Sequence, residues 1–437
     1  MFKTLANALK VKEIRKGLLF TFFILIVCRL GAQIPVPGVD TAAVREYLTA
    51  ALGDTNNILS TFTGGSFEQM SIFALGVTPY ITSSIIIQLL TIAIPALEEL
   101  QKDGEEGRKK LTAITRYVTI LLAVIEGLGL AIGFQRSNMM YIKGILGYLV
   151  VIITLTTGSA FIMWLGERVT DYGIGNGISI ILLINIVSRM PKDFYSLYEM
   201  FIKGKDIVHG TIAAVIILSV VLVTIALVVL LQDGVRKIPV QYAQKVQGRR
   251  SVGARGSHIP LKVNTSSVIP VIFASSIMSV PAVIVSFFDI KTTGVWSKII
   301  RGLNSNYWFN PAYPWANVGL ILYILLVIFF AYFYTAITFN PMEIANNMKK
   351  SNGLIPGIRP GKPTQDYLNK ILNYIVFIGA VGLIIVAVIP IFFNGVFNAS
   401  VSFGGTSLII VVGVIIETIK DIESKMIVRN YSGFLKD

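Results

Sequence analysis

Residues that could carry chemistry are few in this 437-residue sequence. It contains one cysteine, Cys28, and two histidines, His209 and His258, which lie far apart and have no partner at metal-ligand spacing. It contains no P-loop, HExxH or G-x-S-x-G motif, and the glycines of residues 173–177 (GIGNG) lack the preceding strand and the spacing of a dinucleotide site. The sequence therefore predicts a protein that is not an enzyme and that holds no metal and no cofactor.

One acidic residue lies well inside a long apolar run. Glu126 interrupts residues 117–135, and a carboxylate at membrane depth usually faces a polar partner or a water-filled path. A proton-coupled transporter would use such a group, but it would normally need several, and no second intramembrane acid lies nearby. We therefore favour a polar contact between helices at Glu126. An ion-coupled secondary transporter is kept as the alternative function.

The elements that position these residues can be inferred from hydropathy. The chain is 54% apolar and 14% charged, with a mean hydropathy of +0.71, whereas soluble domains carry about 25% charged residues. Much of its surface must therefore face lipid. A transmembrane helix needs about 20 apolar residues, and ten segments can hold one: 17–36, 69–97, 117–135, 144–166, 172–188, 207–232, 263–288, 318–338, and two within 371–416 that are separated by Pro390 and residues 394–405.

The positive charges predict the orientation of these spans. When alternate loops are assigned to two sides, the side with both termini holds 27 basic and 15 acidic residues, and the other side holds 11 and 9. The net charge of +14 is thus divided into +12 and +2. Because basic loops stay in the cytoplasm, the sequence predicts that both termini are cytoplasmic.

Three stretches do not fit a plain helical bundle. Residues 58–73 (ILSTFTGGSFEQMSIF) are too polar to cross alone and predict a short amphipathic or re-entrant segment, with an interfacial helix on the outer surface as the alternative. Residues 233–267 carry seven basic residues against one acid, and residues 339–370 present Arg359 near a Gly/Pro turn. The first loop predicts either a docking surface for an acidic protein or RNA, or an anchor on anionic lipid headgroups. The second predicts a fixed turn that presents Arg359.

Several long motifs then point to one family. The segments 72–90 (IFALGVTPYITSSIIIQLL), 164–181 (WLGERVTDYGIGNGISII), 245–273, 338–361 and 404–410 (GGTSLII) resemble the SecY family, the channel subunits of the bacterial protein translocon. The resemblance runs from the first span to the last. It agrees with the count of ten spans and with their orientation.

The resemblance implies an all-α integral membrane protein of two inverted five-helix halves, residues 1–200 and 201–437, with a short plug helix at about 58–73. Unfolded secretory polypeptides would pass through its centre, and apolar segments would leave sideways into the membrane. The implied partners are the small membrane subunits SecE and SecG, the SecA motor ATPase, the ribosome, and signal sequences. The implied location is the bacterial plasma membrane.

The resemblance also implies roles for particular residues. An apolar pore ring would comprise Val77, Ile81, Ile178, Leu182, Ile272 and Ile410, in which 77/81 and 178/182 are spaced four apart on one helix face. The plug would include Phe62, Gly64, Gly65 and Phe67. A polar lateral gate would comprise Thr82, Gln88, Glu126, Ser275 and Ser276. The motor or ribosome would dock on Arg236, Lys237, Arg249, Arg250, Arg359 and Lys362.

Overall fold

A computed structural model describes most of the chain, namely residues 9–52, 62–203, 207–242, 245–247, 250–252, 257–266, 268–288, 294–311, 313–397 and 405–433. These ranges are mainly helical, which confirms the predicted class. The helices are α1 (Lys12–Gly31), α2 (Thr41–Leu52), α3 (Thr78–Ala93), α4 (Pro95–Lys102), α5 (Gly104–Arg136), α6 (Ile145–Tyr172), α7 (Gly177–Phe201), α8 (Ile207–Asp233), α9 (Ile269–Phe288), α10 (Val295–Leu303), α11 (Asn317–Thr338), α12 (Pro341–Lys350), α13 (Lys362–Phe397) and α14 (Gly405–Gly433).

Each of the ten predicted spans overlaps helix, and residues 69–97 overlap two short helices, α3 and α4. Within the described ranges, five helical stretches are long and apolar enough to cross a membrane, and they lie in α5, α6, α8, α11–α12 and α13. The pair α3 and α4 passes the same test together but is bent by 103°. The bend lies at Ile94, which is extended before Pro95, because proline disfavours a helical conformation in the residue that precedes it. The count of ten crossings stays a prediction.

Short strands, which were not predicted, connect the two basic loops. They are β1 (Val235–Tyr242), β2 (Lys245–Gln247), β3 (Arg250–Val252), β4 (Ser257–Lys262) and β5 (Gly353–Leu354). β1 pairs antiparallel with β4 on one side and with β5 on the other, while β2 and β3 form a hairpin. Inward residues such as Ile238 and Val240 alternate with outward ones, and they pack with Leu368 and Ile371 of α13. The two loops therefore fold as one piece.

The chain divides into two compact units. The first contains residues 1–215, 281–297 and 397–437, and the second contains residues 216–280 and 298–396. In the first unit α5 packs on both α3 and α6, and α7 packs on α6 and α14. The second unit holds the sheet, α11, α12 and most of α13. The predicted halves, 1–200 and 201–437, stay a prediction.

Candidate functional site

The segment of residues 62–77, here called the folded-back segment, lies between α2 and α3 and is mostly built of turns. The remainder of the predicted plug, residues 58–61, lies outside the described residues. Two backbone hydrogen bonds join the segment to the loop after α1: the Val36 amide donates to the Met70 carbonyl at 2.8 Å, and the Ile72 amide donates to the Ile34 carbonyl at 2.9 Å. Its apolar side chains, including Phe62 and Phe67, are buried, except that of Ile72, which is half-buried.

The folded-back segment also contacts the middle of α6. Ser159 donates from its hydroxyl to the Gly76 carbonyl at 3.2 Å. A Cβ at Gly158 would collide with the carbonyl oxygen of Ile72, so the two backbones approach as closely as glycine permits. Both contacts lie near the midpoint of a helix that is long enough to cross a membrane. Non-helical backbone is found at such a depth only where protein buries it or where it lines a water-filled cavity.

Polar residues on α7 hold the start of the folded-back segment. Asn185 donates from its side-chain amide to the Phe62 carbonyl at 2.9 Å. The Arg29 guanidinium of α1 donates to the Asn185 side-chain oxygen and, at 2.6 Å, to the Ser188 hydroxyl. Phe62 is thereby fixed by a side chain more than a hundred residues away, which is itself oriented by a third element.

An ion pair holds the middle of the folded-back segment. Arg189 Nη1 lies 2.9 Å from Glu68 Oε1, and Lys192 Nζ lies 3.7 Å from Glu68 Oε2. The Arg189 side chain is only 5% exposed and that of Glu68 is 26% exposed. A charged pair in so little contact with water interacts much more strongly than a surface pair.

This cluster was not predicted from the sequence, although the sequence contains a signal for it. Asn185, Arg189 and Asp193 follow one another at intervals of four and are all buried. That spacing places them on one face of α7. Three polar residues on one helix face next to an apolar run indicate a buried polar contact.

Two glycines at the start of the folded-back segment adopt left-handed backbone conformations. Gly64 has φ +64°, and a Cβ there would lie 2.9 Å from the Asn185 backbone. Gly65 has φ +86°, and a Cβ there would meet nothing within 4 Å. Gly64 is therefore required for both conformation and space, whereas Gly65 is required for conformation alone.

The first of the predicted ring residues lie around the start of α3 and α7. Val77 is buried, and its carbonyl accepts from the Ile81 amide at 3.0 Å, so the two side chains lie one turn apart on one face. Ile178 is half-buried, and its terminal carbon lies so close to Gly166 on α6 that a Cβ at Gly166 would collide with it. Part of the Ile178 side chain is therefore packed against α6.

The remaining predicted ring residues are divided between the two units. Leu182 on α7 and Ile410 on α14 are buried, and both belong to the first unit. Ile272 on α9 is half-buried and belongs to the second. The ring itself stays a prediction.

Three of the predicted gate residues lie on α3 and α5. Thr82 donates to the Thr78 carbonyl at 3.1 Å, and Gln88 donates to the Ser84 hydroxyl at 3.4 Å, so both are bonded within α3. Glu126 is half-buried on α5.

A different residue joins α3 to α5. Ser83, which is fully buried, donates from its hydroxyl to the Thr115 carbonyl at 2.7 Å. In the second unit, the predicted gate residue Ser275 is buried and hydrogen-bonded to Tyr323 of α11, and Ser276 is half-buried.

The predicted docking residues lie on the piece formed by the two loops. Arg236 and Lys237 are exposed on β1. Arg359 and Lys362 are exposed in the segment between β5 and the first turn of α13, where the Thr364 hydroxyl donates to the Arg359 carbonyl at 2.8 Å. Arg250 begins β3, and Arg249 lies outside the described residues.

No cluster of three or more His, Cys, Asp or Glu side chains that could hold a metal ion occurs among the described residues.

One ionisable group outside the spans, Asp40, forms several hydrogen bonds. Asp40 at the start of α2 accepts from the Ala42 and Ala43 amides at 3.0 and 3.1 Å. The Ala43 amide and then the Tyr141 hydroxyl hold the pKa of Asp40 below its ordinary value, because both bonds favour the carboxylate.

Comparisons with known proteins agree on one family. The SecY family model matches residues 71–419. Protein translocase subunit SecY of Streptomyces scabiei is 43% identical over 450 residues, and that of Bacillus subtilis is 43% identical over 446 residues; each comparison covers 100% of both chains.

Solved structures of channels share the fold. A protein-conducting channel matches with a TM-score of 0.63 at 19% identity, covering 95% of this chain and 94% of that one. Sec61 in the canine ribosome–channel complex matches with a TM-score of 0.60 at 19% identity, with the same coverage. Identity this low establishes the fold alone.

The fold and the candidate site define a polytopic α-helical membrane protein in which a non-helical segment is buried against the middle of a spanning helix. The chain belongs to the SecY family. A SecY-family chain is a channel subunit of the protein translocase and is not an enzyme by itself. These comparisons give no support to the ion-coupled transporter.

Proposed function

We propose that this chain is a protein-conducting channel that passes unfolded polypeptides across the membrane, and that the folded-back segment is its plug. One observation carries the assignment of the plug: glycine-rich, non-helical backbone is buried against Gly158 and Ser159, at the middle of α6. A structural helix bundle has no need of such a segment, whereas a pore that must be sealed at rest does.

The proposal assigns the seal of the pore to a ring of apolar side chains next to the plug. An apolar constriction excludes ions because water leaves it readily, and it offers no directional bonds that would hold a passing peptide. The burial of Val77, Leu182 and Ile410 in the first unit supports this assignment. Thr82, Gln88, Glu126, Ser275 and Ser276 are assigned to a lateral gate through which apolar segments reach the lipid.

The proposed partners follow from the exposed basic surface. Arg236, Lys237, Arg359 and Lys362 would contact an acidic surface of the SecA motor ATPase or the RNA of a ribosome. Small membrane subunits of the SecE and SecG type would complete the channel. The proposed location is the bacterial plasma membrane, with both termini in the cytoplasm, because the predicted terminal side carries the +12 excess of charge.

Crosslinking to an arrested secretory chain tests this function. A photoreactive amino acid at Ile81 or Ile410 is expected to crosslink to the arrested polypeptide. The same group at Ile153, which is exposed on α6, serves as the lipid-facing control and is expected to crosslink to lipid alone. Crosslinks at Ile153 but at neither ring position would contradict the pore assignment.

A further inference from the structure

Helix α10, which no sequence motif predicted, has strongly divided faces. At about 100° per residue, its apolar side chains fall on one side of the helix and its basic ones on the other. The apolar side comprises Val295, Trp296, Ile299, Ile300 and Leu303, and the polar side comprises Lys298 and Arg301.

The apolar side of α10 is open. Val295 is 71% exposed, Trp296 is 68% exposed and Ile299 is 45% exposed. These three side chains form a single patch because they are spaced at i, i+1 and i+4. An exposed patch of this kind on a short helix with a tryptophan is typical of a binding face.

The position of α10 is fixed by the start of α11. The buried Trp308 donates from its indole nitrogen to the Gly302 carbonyl at 2.7 Å, and a Cβ at Gly319 of α11 would collide with the same carbonyl. The Arg301 guanidinium lies 5.8 Å from the centre of the Tyr313 ring. Since α11 belongs to the membrane-spanning stretch Pro314–Lys350, α10 is held at the end of a span.

The predicted outer loop that contains α10 is basic, although most of the basic residues of the chain lie on the predicted cytoplasmic side. The loop between the predicted spans 263–288 and 318–338 contains three basic residues, Lys291, Lys298 and Arg301, and one acidic residue, Asp289. The predicted topology places them on the outer side, where the net charge is only +2 and where the positive-inside rule disfavours basic loops. Basic groups there, on the polar side of an amphipathic helix, match the anionic phosphates of lipid headgroups.

We propose that α10 is an interfacial anchor in the outer leaflet of the membrane. Its apolar side lies at the boundary of the acyl chains, and Lys298 and Arg301 bind the phosphates of anionic phospholipids. Through the Gly302–Gly319 contact, the anchor sets the depth of the outer end of α11. The anchor does not depend on whether the pore conducts polypeptides.

Spin labelling measures the depth of each side of α10. The chain has a single cysteine, Cys28, so a Cys28→Ser background permits one label at a time. In vesicles that contain phosphatidylglycerol, a label at Ile299→Cys is expected to be accessible to oxygen and protected from a water-soluble nickel complex. A label at Lys298→Cys, which lies about 100° around the helix on its polar side, is expected to be accessible to nickel.

Three results would overturn the proposal. Equal nickel accessibility at both positions would place α10 in water. Protection of Ile299→Cys that disappears on dilution to one chain per vesicle would assign the apolar side to a second copy. Protection that requires an added acidic protein would assign it to that protein.

Neutralisation of the basic side tests the lipid class. Lys298→Gln and Arg301→Gln are each expected to reduce the preference of the purified chain for phosphatidylglycerol over phosphatidylcholine by about fivefold. Lys143→Gln serves as the control, because it removes an exposed charge that is also predicted to lie on the outer side. It is expected to reduce the preference for phosphatidylglycerol less. Equal effects of all three substitutions would refute specific binding at α10.

Discussion

The ion pair between Glu68 and Arg189 allows a quantitative test of the proposed plug. Glu68→Gln keeps the shape of the side chain but removes the negative charge that pairs with the nearly buried Arg189. Breaking a fully buried pair costs about 3–5 kcal/mol. Because Glu68 is 26% exposed, we expect a smaller loss of about 2 kcal/mol, in the range for a hydrogen bond to a charged group. That loss corresponds to about a 30-fold shift from the closed towards the displaced plug.

Single-channel recording in planar bilayers measures this shift. The time that the resting channel spends conducting ions is expected to rise about 30-fold in Glu68→Gln, up to saturation. Glu199→Gln is the matched control. Glu199 lies on α7, the helix that carries Arg189, and it pairs with Lys203, but both of these side chains are exposed. A surface pair of this kind contributes about 0.3–0.5 kcal/mol, so the control is expected to change the leak by about twofold at most.

A double substitution separates the pair from its surroundings. If Glu68 and Arg189 act on the plug through each other, Glu68→Gln combined with Arg189→Gln is expected to change the leak by less than the two single effects together. Additive effects would show that the pair is not the unit that holds the segment. A leak in Glu68→Gln no larger than in Glu199→Gln would refute the closed-state role of the ion pair.

Three further predictions concern the plug, the docking surface and the outer loop. Gly64→Ala is expected to raise the ion leak more than Gly65→Ala. Both substitutions strain a left-handed backbone by about 1–2 kcal/mol, but only the Cβ at position 64 would also collide with α7. Equal leaks would contradict this. Arg359→Glu is expected to slow motor association about tenfold at low salt and much less at high salt, as measured by stopped flow; no change would remove Arg359 from the docking site. The pKa of Asp40 is lowered by folding, so its stabilisation of α2 is complete above the ordinary pKa of 3.8 and is lost as the pH falls through the lowered value. Hydrogen exchange of the α2 amides, corrected for the intrinsic exchange rate, is expected to show this loss in the native chain. It is not expected in Asp40→Asn, whose side-chain oxygen still caps the helix but does not titrate. The same pH dependence in Asp40→Asn would contradict the prediction.

The membrane-spanning architecture could be predicted from sequence because its cause is local. An apolar run of sufficient length must lie in lipid, and the basic loops orient it, so α5, α6 and α11 were located without any knowledge of their contacts. The predicted segment 69–97 contains α3, which begins only at Thr78. Residues 69–77 are apolar enough to extend a span, but their backbone is bonded to the loop after α1 and to α6 instead.

The polar contacts of the candidate site could not be predicted because they join distant parts of the chain. In the sequence, Arg29 only interrupts the apolar run of the first predicted span, residues 17–36. Its role depends on Asn185, which is 156 residues away, and Glu68 is 121 residues from Arg189. No spacing rule reaches so far, although the four-residue repeat on α7 does show that the helix has a buried polar side.

The two basic loops show how such long-range pairing changes a functional interpretation. Their composition predicted docking surfaces but no contact between the two loops. The structure pairs Gln241 with Leu354 and Tyr242 with Gly353, and a single apolar core lies under both loops. The two loops therefore share one sheet and one core, and we expect a partner that docks on either loop to act on both.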